Sequence, residues 1–398
     1  MVATPNHTVI KACRGCQAPS QSLEQVLTMD PMPLAGQFCS DSQQALEAHC
    51  IPLSWVLCHQ CGLVQVVEDV DESTLFRRYN YASSTVSGLV KHFENYAAHL
   101  ETAYGTSPVR FLEIGCNDGV LLRRLPEPWV RQGVDPSDVA RKSYEEDGQG
   151  YELANEPFTA EKVSSMGWIG QWDVISGSNC LAHISDLKRV FEAAYMALRD
   201  GGELWVEVHD LEALLCGNQW DTIYHEHKAE WSEDSLVYCL GMIGFERLDT
   251  QSLFMHGGAL RCRFIKRSEP MVLGCPDLKG LKKKLHRLEE SYRKRYDNAV
   301  IRELMGHVSR GQQLVAYGAA GRANVFLNQM AQLPFAWIID ESPLRHGRFL
   351  PHVATPVVPM PWLAEHQPPH CLITAWNYAS DIRGKHPEYQ GRWWTAFT

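Results

Sequence analysis

Between Asn218 and Ser232 the chain reads NQWDTIYHEHKAEWS, a tyrosine, two histidines and three carboxylates in close succession. Such groups can hold a metal, move protons or coat a polar surface. The zinc-protease pattern H-E-x-x-H places its histidines one helical turn apart. His225 and His227 fail that spacing, so a metal here would have to recruit Asp221. Proton transfer asks less. A histidine titrating near neutrality is a suitable base, a carboxylate such as Glu226 can orient its ring, and a tyrosine can donate to a developing oxyanion. On a helical turn Tyr224 and His227 would share a face. On an extended segment Tyr224 and Glu226 would point one way, His225 and His227 the other. The sequence leaves both open.

A second set of reactive groups lies near the start, as Cys13-Arg-Gly-Cys16 and Cys58-His-Gln-Cys61. Two C-x2-C knuckles can close a tetrahedral zinc site, and four thiolates leave no position for water, so the expected ion is structural. Cys39, Cys50 and His59 are spare donors nearby. The thirteen cysteines are spread along a chain whose start lacks a secretory pattern, which predicts reduced thiols and a cytoplasmic location.

These groups need a scaffold. VRFLEIGCNDGVLLRRL reads as a buried strand, a glycine turn and a helix, with Gly115 and Gly119 letting the backbone approach a ligand. Asp135, about twenty residues beyond Glu113, ends the next strand where a ribose hydroxyl can be met. The turn lacks the full G-x-G-x-x-G spacing, which suits S-adenosylmethionine better than a dinucleotide. Asn117 lies within the turn. Asn155, Ser178, Asn179 and His183 follow later strand ends, and FERLDTQSL with GALRCRFIKR predicts a closing antiparallel pair. This is the doubly wound α/β plan. A second strand, glycine turn and helix recurs in QQLVAYGAAGRANVFLNQM, followed by strands ending at Asp340 and near Asn377. A helix is expected from Val86 to Leu100, and a helical connection from Asp277 to Gly306.

Taken together, the two knuckles, FLEIGCNDG, YNYASS, NCLAH, NQWDTIYHEH and YGAAGRANVFLN resemble, in order, the sugar C-methyltransferases that act on nucleotide-linked 4-keto-deoxysugars. The resemblance implies a class I methyltransferase (Rossmann-like) core with an N-terminal zinc-binding domain and a smaller C-terminal Rossmann-like α/β domain. Boundaries are expected at 1–75, 76–270, 271–305 for the connection and 306–398. It implies S-adenosylmethionine as cofactor beside the structural zinc, bound by Glu113, Gly115, Asn117, Gly119, Asp135, Asn155, Ser178 and Asn179. It implies His227 as catalytic base, Glu226 positioning it, and Tyr224, His183 and Tyr79 steadying substrate or enolate. Tyr81, His225 and Asn218 are expected near the sugar, and Gly318, Ala319, Asn324, Asp340 and Asn377 near its nucleotide. Arg322 stands where the family more often has a lysine and a glycine, and is assigned to the diphosphate.

Composition agrees with an enzyme of this kind. At 398 residues, 45% hydrophobic and 21% charged, the chain suits a soluble protein of two or three domains. A net charge of -10 without a basic stripe argues against nucleic acid, and no apolar run is long enough to cross a membrane. Nothing fixes an oligomeric state, and a monomer is the working expectation. Rival readings are a nicotinamide-dependent sugar oxidoreductase using the C-terminal turn, an O- or N-methyltransferase on the same core, and a non-catalytic sugar-nucleotide binder.

Overall fold

The computed structural model describes residues 7–397 except 77–81, 149, 270, 272, 273 and 275. Tyr79 and Tyr81 therefore lie outside the described residues. The N-terminal unit is built on antiparallel strands β1 (Leu23–Met32), β2 (Ile51–Cys58) and β3 (Val64–Val66). The cysteine knuckles sit at one end of this sheet, with Trp55 and Leu57 buried on β2.

The core opens with α1 (Ser87–Tyr104), close to the expected helix, and continues through parallel strands β4 (Arg110–Ile114), β5 (Val130–Val134), β6 (Glu152–Ala154), β7 (Trp172–Ser178) and β8 (Leu198–His209). Apolar runs such as Phe111–Leu112 and Leu204–Val206 reflect burial on both faces, which parallel strands require. After α2 (Leu211–Cys216) come the YHEH segment, the two-residue strand β9 (Ala229–Glu230) and α3 (Glu233–Gly241). The expected antiparallel pair follows as β10 (Phe245–Leu253) and β11 (Ala259–Lys266). Spatial order is β10-β11-β8-β7-β4-β5-β6, with β11 inserted antiparallel between β8 and β10. Strand β9 does not join this sheet. It pairs with β3, Ala229 opposite Gln65 and Glu230 opposite Val64, and becomes the fourth strand of the N-terminal sheet.

The connection is two helices, α4 (Leu278–Arg293) and α5 (Ala299–Ser309), whose first turns are capped by Asp277 and Asn298. The alternation of Leu and basic residues gives α4 a solvated face and a buried one carrying Leu285, Leu288 and Tyr292. Burying each of those leucines contributes roughly 1.5–3 kcal/mol. The C-terminal domain runs β12 (Leu314–Tyr317), α6 (Gly321–Gln329), β13 (Trp337–Asp340), β14 (Val357–Pro359), β15 (His370–Ile373) and β16 (Arg392–Trp394). Its sheet is wholly parallel, in the order β14-β13-β12-β15-β16. The last strand was not expected from the sequence.

Packing ignores the boundaries drawn from sequence. One apolar cluster joins Leu27 and Trp55 of the N-terminal unit, Trp220 of the core, Leu285 of α4 and Phe326 of α6. Gln329 Nε2 donates to Asp30 O (2.9 Å), and Cys39 and Phe349 exchange backbone hydrogen bonds of 2.9 Å. The N-terminal unit is thus a wedge held by both neighbours. Among the described residues no helix is long and apolar enough to cross a membrane.

Candidate active site

The four knuckle cysteines converge with their sulfurs inward. Cys13 Sγ lies 3.6 Å from Cys61 Sγ, and Cys16 Sγ 3.6 Å from Cys58 Sγ. A zinc ion with bonds of about 2.3 Å needs sulfurs roughly 3.8 Å apart, so the cradle fits the ion. Gln65 Nε2 donates to Cys13 Sγ at 3.3 Å. Cys39 and Cys50 stand outside this group, and His59 pairs with Glu24 at 2.6 Å.

At the carboxyl end of β4 the chain turns through Gly115 (φ 69°), Asn117 (φ 50°) and Gly119 (φ 73°). Gly115 N donates to Val134 O (2.8 Å), Asn117 N to Asp135 Oδ2 (2.9 Å) and Ser137 N to Asp135 Oδ1 (2.8 Å). Side chains at Gly115 and Gly119 are excluded: an added Cβ would come within 2.5 Å of Cys180 Cβ and 2.6 Å of Tyr151 Oη. Asn155 is taken up in shaping the loop, since Nδ2 donates to Asp135 O (2.8 Å) and Ser137 O (3.0 Å). Backbone N–H groups of Ser83 and Ser84 reach Asn117 Oδ1 (2.9 Å) and Asp118 Oδ2 (2.8 Å), tying the segment beyond Tyr81 to the turn. Four buried atoms here have no partner: Glu113 Oε2, Asp118 Oδ1, Ser178 Oγ and Asn179 Oδ1. Buried polar groups left so are exceptional. Two carboxylates facing an ammonium-bearing sulfonium, with hydroxyl and amide acceptors, fit S-adenosylmethionine. Burial, reinforced by Asp118, Asp135 and Glu207, pushes the Glu113 carboxyl well above its ordinary range.

The YHEH segment is neither helix nor strand. It is a turn closed by His227 N donating to Tyr224 O (2.9 Å). The turn brings Tyr224 Oη to 2.5 Å from His227 Nε2 with ring centroids 4.0 Å apart. His183, from the turn after β7, places its ring 5.2 Å from that of His227 and donates Nδ1–H to Glu226 O (2.7 Å). His209, at the end of β8, lies 4.8 Å away ring to ring. Burial, then the neighbouring His209 and His183, holds the His227 imidazolium well below the usual histidine range, so the ring is neutral.

The turn is gripped from the N-terminal unit. Val66 N donates to Lys228 O (3.0 Å), His225 Nε2 donates to Pro52 O (2.9 Å), and Lys228 Nζ donates to Asp69 (2.8 Å) and Val70 O (2.6 Å). These contacts correct two expectations. The Glu226 carboxylate does not address His227. Gly36 N donates to its Oε1 (2.8 Å), and burial pushes it up to about 7. The carboxyl beside His227 is Glu230, whose Oε1 lies 3.5 Å from His227 Nδ1, too poorly placed for a hydrogen bond; burial pushes it up to about 8. His225 points into the N-terminal sheet, wholly buried. Asn218 lines an outer groove of about 500 Å³ with Lys284, Arg287 and Lys294, away from the turn.

In the C-terminal domain, Gly318 and Ala319 form the turn after β12. Asp340 Oδ2 accepts from Ala319 N (2.7 Å), Oδ1 from Ser342 N (2.8 Å), and Arg345 covers both oxygens at 3.0 and 3.1 Å. Asn324 is wholly buried and donates to Ala35 O (2.8 Å). Arg322, expected at the diphosphate, is engaged by protein groups. Its guanidinium donates to Asp221 (2.9 and 3.1 Å), His256 O (2.8 Å) and Gln219 Oε1 (3.3 Å), lies over Trp376, and clamps this domain to the core. With Trp376 Nε1 also donating to Asp221 (2.9 Å), a metal site built on Asp221 is excluded. Gly321 abuts Tyr224, whose ring would lie 3.2 Å from an added Cβ, so the second glycine turn backs this tyrosine. Asn377 is half-buried in the turn after β15.

Sequence reasoning missed His209, Glu230 and Gly321. His209 could have been found by its place at a strand's carboxyl end, where α/β sheets gather ligands. Glu230 and Gly321 carry no local signal.

Three family models match the chain in succession: one described as "Putative zinc binding domain" over residues 13–76, "Methyltransferase domain" over 77–250 and "C-methyltransferase C-terminal domain" over 282–397. C-methyltransferase NovU of Streptomyces niveus is 27% identical over 395 residues, covering 96% of this chain and 93% of its own. Two solved structures are similar over part of the chain. The Burkholderia thailandensis 1,6-didemethyltoxoflavin-N1-methyltransferase with bound S-adenosylhomocysteine is 16% identical with a TM-score of 0.34, over 44% of this chain and 79% of its own. PH0226 of Pyrococcus horikoshii OT3 is 16% identical with a TM-score of 0.39, over 49% and 98%. By its three matched domains the chain belongs to the S-adenosylmethionine-dependent C-methyltransferases.

Proposed function

We propose that this C-methyltransferase methylates carbon 3 of a nucleoside-diphosphate 4-keto-6-deoxysugar in the cytoplasm, through an enolate made by its own base. The observation that carries the reading is the 2.5 Å contact of Tyr224 Oη with Nε2 of a buried, neutral His227 at the carboxyl ends of the cofactor-binding strands. A carbon nucleophile, unlike oxygen or nitrogen, has no lone pair and must first lose a proton, which an adjacent ketone makes acidic. The bound cofactor supplies an electrophilic methyl group on sulfur. The chain's residues do the rest. The Tyr224–His227 pair takes the ring-carbon proton. His183, its Nδ1–H fixed on Glu226 O, places its ring 5.2 Å from that of His227. Glu113, Gly115, Asn117, Gly119, Asp135, Ser178 and Asn179 hold the cofactor, with Asn155 shaping the loop. Tyr79 and Tyr81 precede the segment tied to the cofactor turn, and Gly318, Ala319 and Asn377 remain the candidates for the nucleotide side. The four cysteines hold zinc and, through β3 and β9, keep the catalytic turn in place.

The test is deuterium exchange at the sugar carbon in D₂O with S-adenosylhomocysteine in place of the methyl donor. Exchange by wild type and none by His227→Asn supports the reading. Methyl transfer to an oxygen or nitrogen without ring exchange removes it.

A further inference from the structure

Four unpartnered buried atoms meet in one place. His209 Nδ1, His227 Nδ1 and both Glu230 carboxylate oxygens lack a hydrogen-bond partner, and one donor from each residue lies within 4.8 Å of the others. His209 Nδ1 stands 4.0 Å from Glu230 Oε2, and His227 Nδ1 3.5 Å from Glu230 Oε1. The residues arrive separately, from the end of β8, from the YHEH turn and from β9. Glu230 is wholly buried and His227 nearly so, while His209 keeps 15% of its side chain exposed, an approach from one side. Arg322, the nearby cation, is paired with Asp221 and makes no ion pair with any of the three.

Two imidazoles and a carboxylate suit a first-row divalent cation. Donors on a tetrahedral ion with bonds of about 2.1 Å are roughly 3.4 Å apart, close to the separations seen.

We propose that His209 Nδ1, His227 Nδ1 and the Glu230 carboxylate hold a divalent transition-metal cation, distinct from the four-cysteine zinc. Coordination at Nδ1 leaves His227 Nε2 with Tyr224, and a single proton then lies between ring nitrogen and phenol oxygen. The cation's two charges are balanced by Glu230 and by this singly protonated pair. Three protein donors leave a position for a substrate oxygen. On the keto-sugar reading, on which this role rests, the carbon–hydrogen bond would break, its electron pair forming the enolate C=C bond as the carbonyl π pair moves to the oxygen that the cation would polarise, and the proton would join the Tyr224–His227 pair.

The experiment is metal content per chain by mass spectrometry, with cobalt(II) loading of the full-length protein. Wild type should bind two equivalents, one giving intense thiolate charge-transfer absorption and one only weak ligand-field bands. Glu230→Gln and His209→Asn should each fall to one equivalent with the thiolate absorption unchanged, which also reports an intact fold. A single equivalent in wild type under excess cobalt overturns the site, as does a second equivalent surviving both substitutions. The exchange assay on the same samples separates the two ideas. Two equivalents without exchange leave the site standing and remove the keto-sugar reading; exchange with one equivalent does the reverse.

Discussion

The two glycine turns of this chain are wired alike and used differently. Gly115 N donates to Val134 O at 2.8 Å, and Gly318 N to Ile339 O at 2.7 Å. In each, an aspartate ending the neighbouring strand accepts from the turn, Asp135 from Asn117 N and Asp340 from Ala319 N. Around the first, Glu113, Asp118, Ser178 and Asn179 keep atoms without partners. Around the second the polar groups are met by protein: Arg345 on Asp340, Asp221 on Arg322, Ala35 on Asn324. The lesson is that one backbone geometry can be surrounded by spare polar atoms or by satisfied ones, and the second case leaves a ligand mainly the backbone groups of the turn to meet.

The largest effect is expected at the residue standing between the turns. His227→Asn should lower kcat by roughly 10²–10⁴-fold while calorimetry finds S-adenosylmethionine affinity unchanged. A parallel loss of affinity would merge the base with the first turn. Next comes Arg322→Ala, which strands the buried Asp221 carboxylate and should cost about 3–5 kcal/mol in denaturant unfolding, again without weakening the cofactor. Combining Arg322→Met with Asp221→Leu should recover most of it, because apolar replacement of a buried ion pair is often near neutral.

Smaller effects separate the turns directly. Gly115→Ala and Gly318→Ala both force a side chain to positive φ, at 69° and 104°, a strain of roughly 1–2 kcal/mol. Only the first should also weaken the cofactor. Equal weakening would erase the distinction. The smallest concerns pH. Because Glu113 is raised, the folded protein without cofactor holds a proton that the unfolded chain releases in the ordinary carboxylate range. Its contribution to stability is therefore present at low pH and lost as pH rises through the raised value. A cation-bearing ligand favours the ionised form, so cofactor affinity should rise with pH and binding should release a proton, measurable in buffers of different ionisation heat. Glu113→Gln should flatten that dependence, and Asp340→Asn should leave it intact.

Much of this was legible in the sequence because the physics was local. Parallel strands such as Leu314–Tyr317 announce themselves as apolar runs, Gly115 and Gly119 mark backbone that no Cβ tolerates, and paired C-x2-C knuckles state their chemistry by spacing. What stayed hidden depended on partners far along the chain. The direction of Glu226 is set by Gly36, that of Arg322 by Asp221, and that of His225 by Pro52. The turn at Tyr224–His227 lies between the two local geometries the pattern allowed, and β16, only three residues long, has too little length to signal a strand.

One consequence follows from the pairing of Ala229–Glu230 with Val64–Gln65. A chimera that imports another protein's first seventy residues would inherit a foreign template for the edge where proton transfer is set up, and a slip of one residue there would turn Glu230 to the opposite side. Successful grafts should therefore carry the stretch from His225 to Glu230 with the donor segment, and libraries recombined between those two blocks should yield mostly folded but silent enzymes.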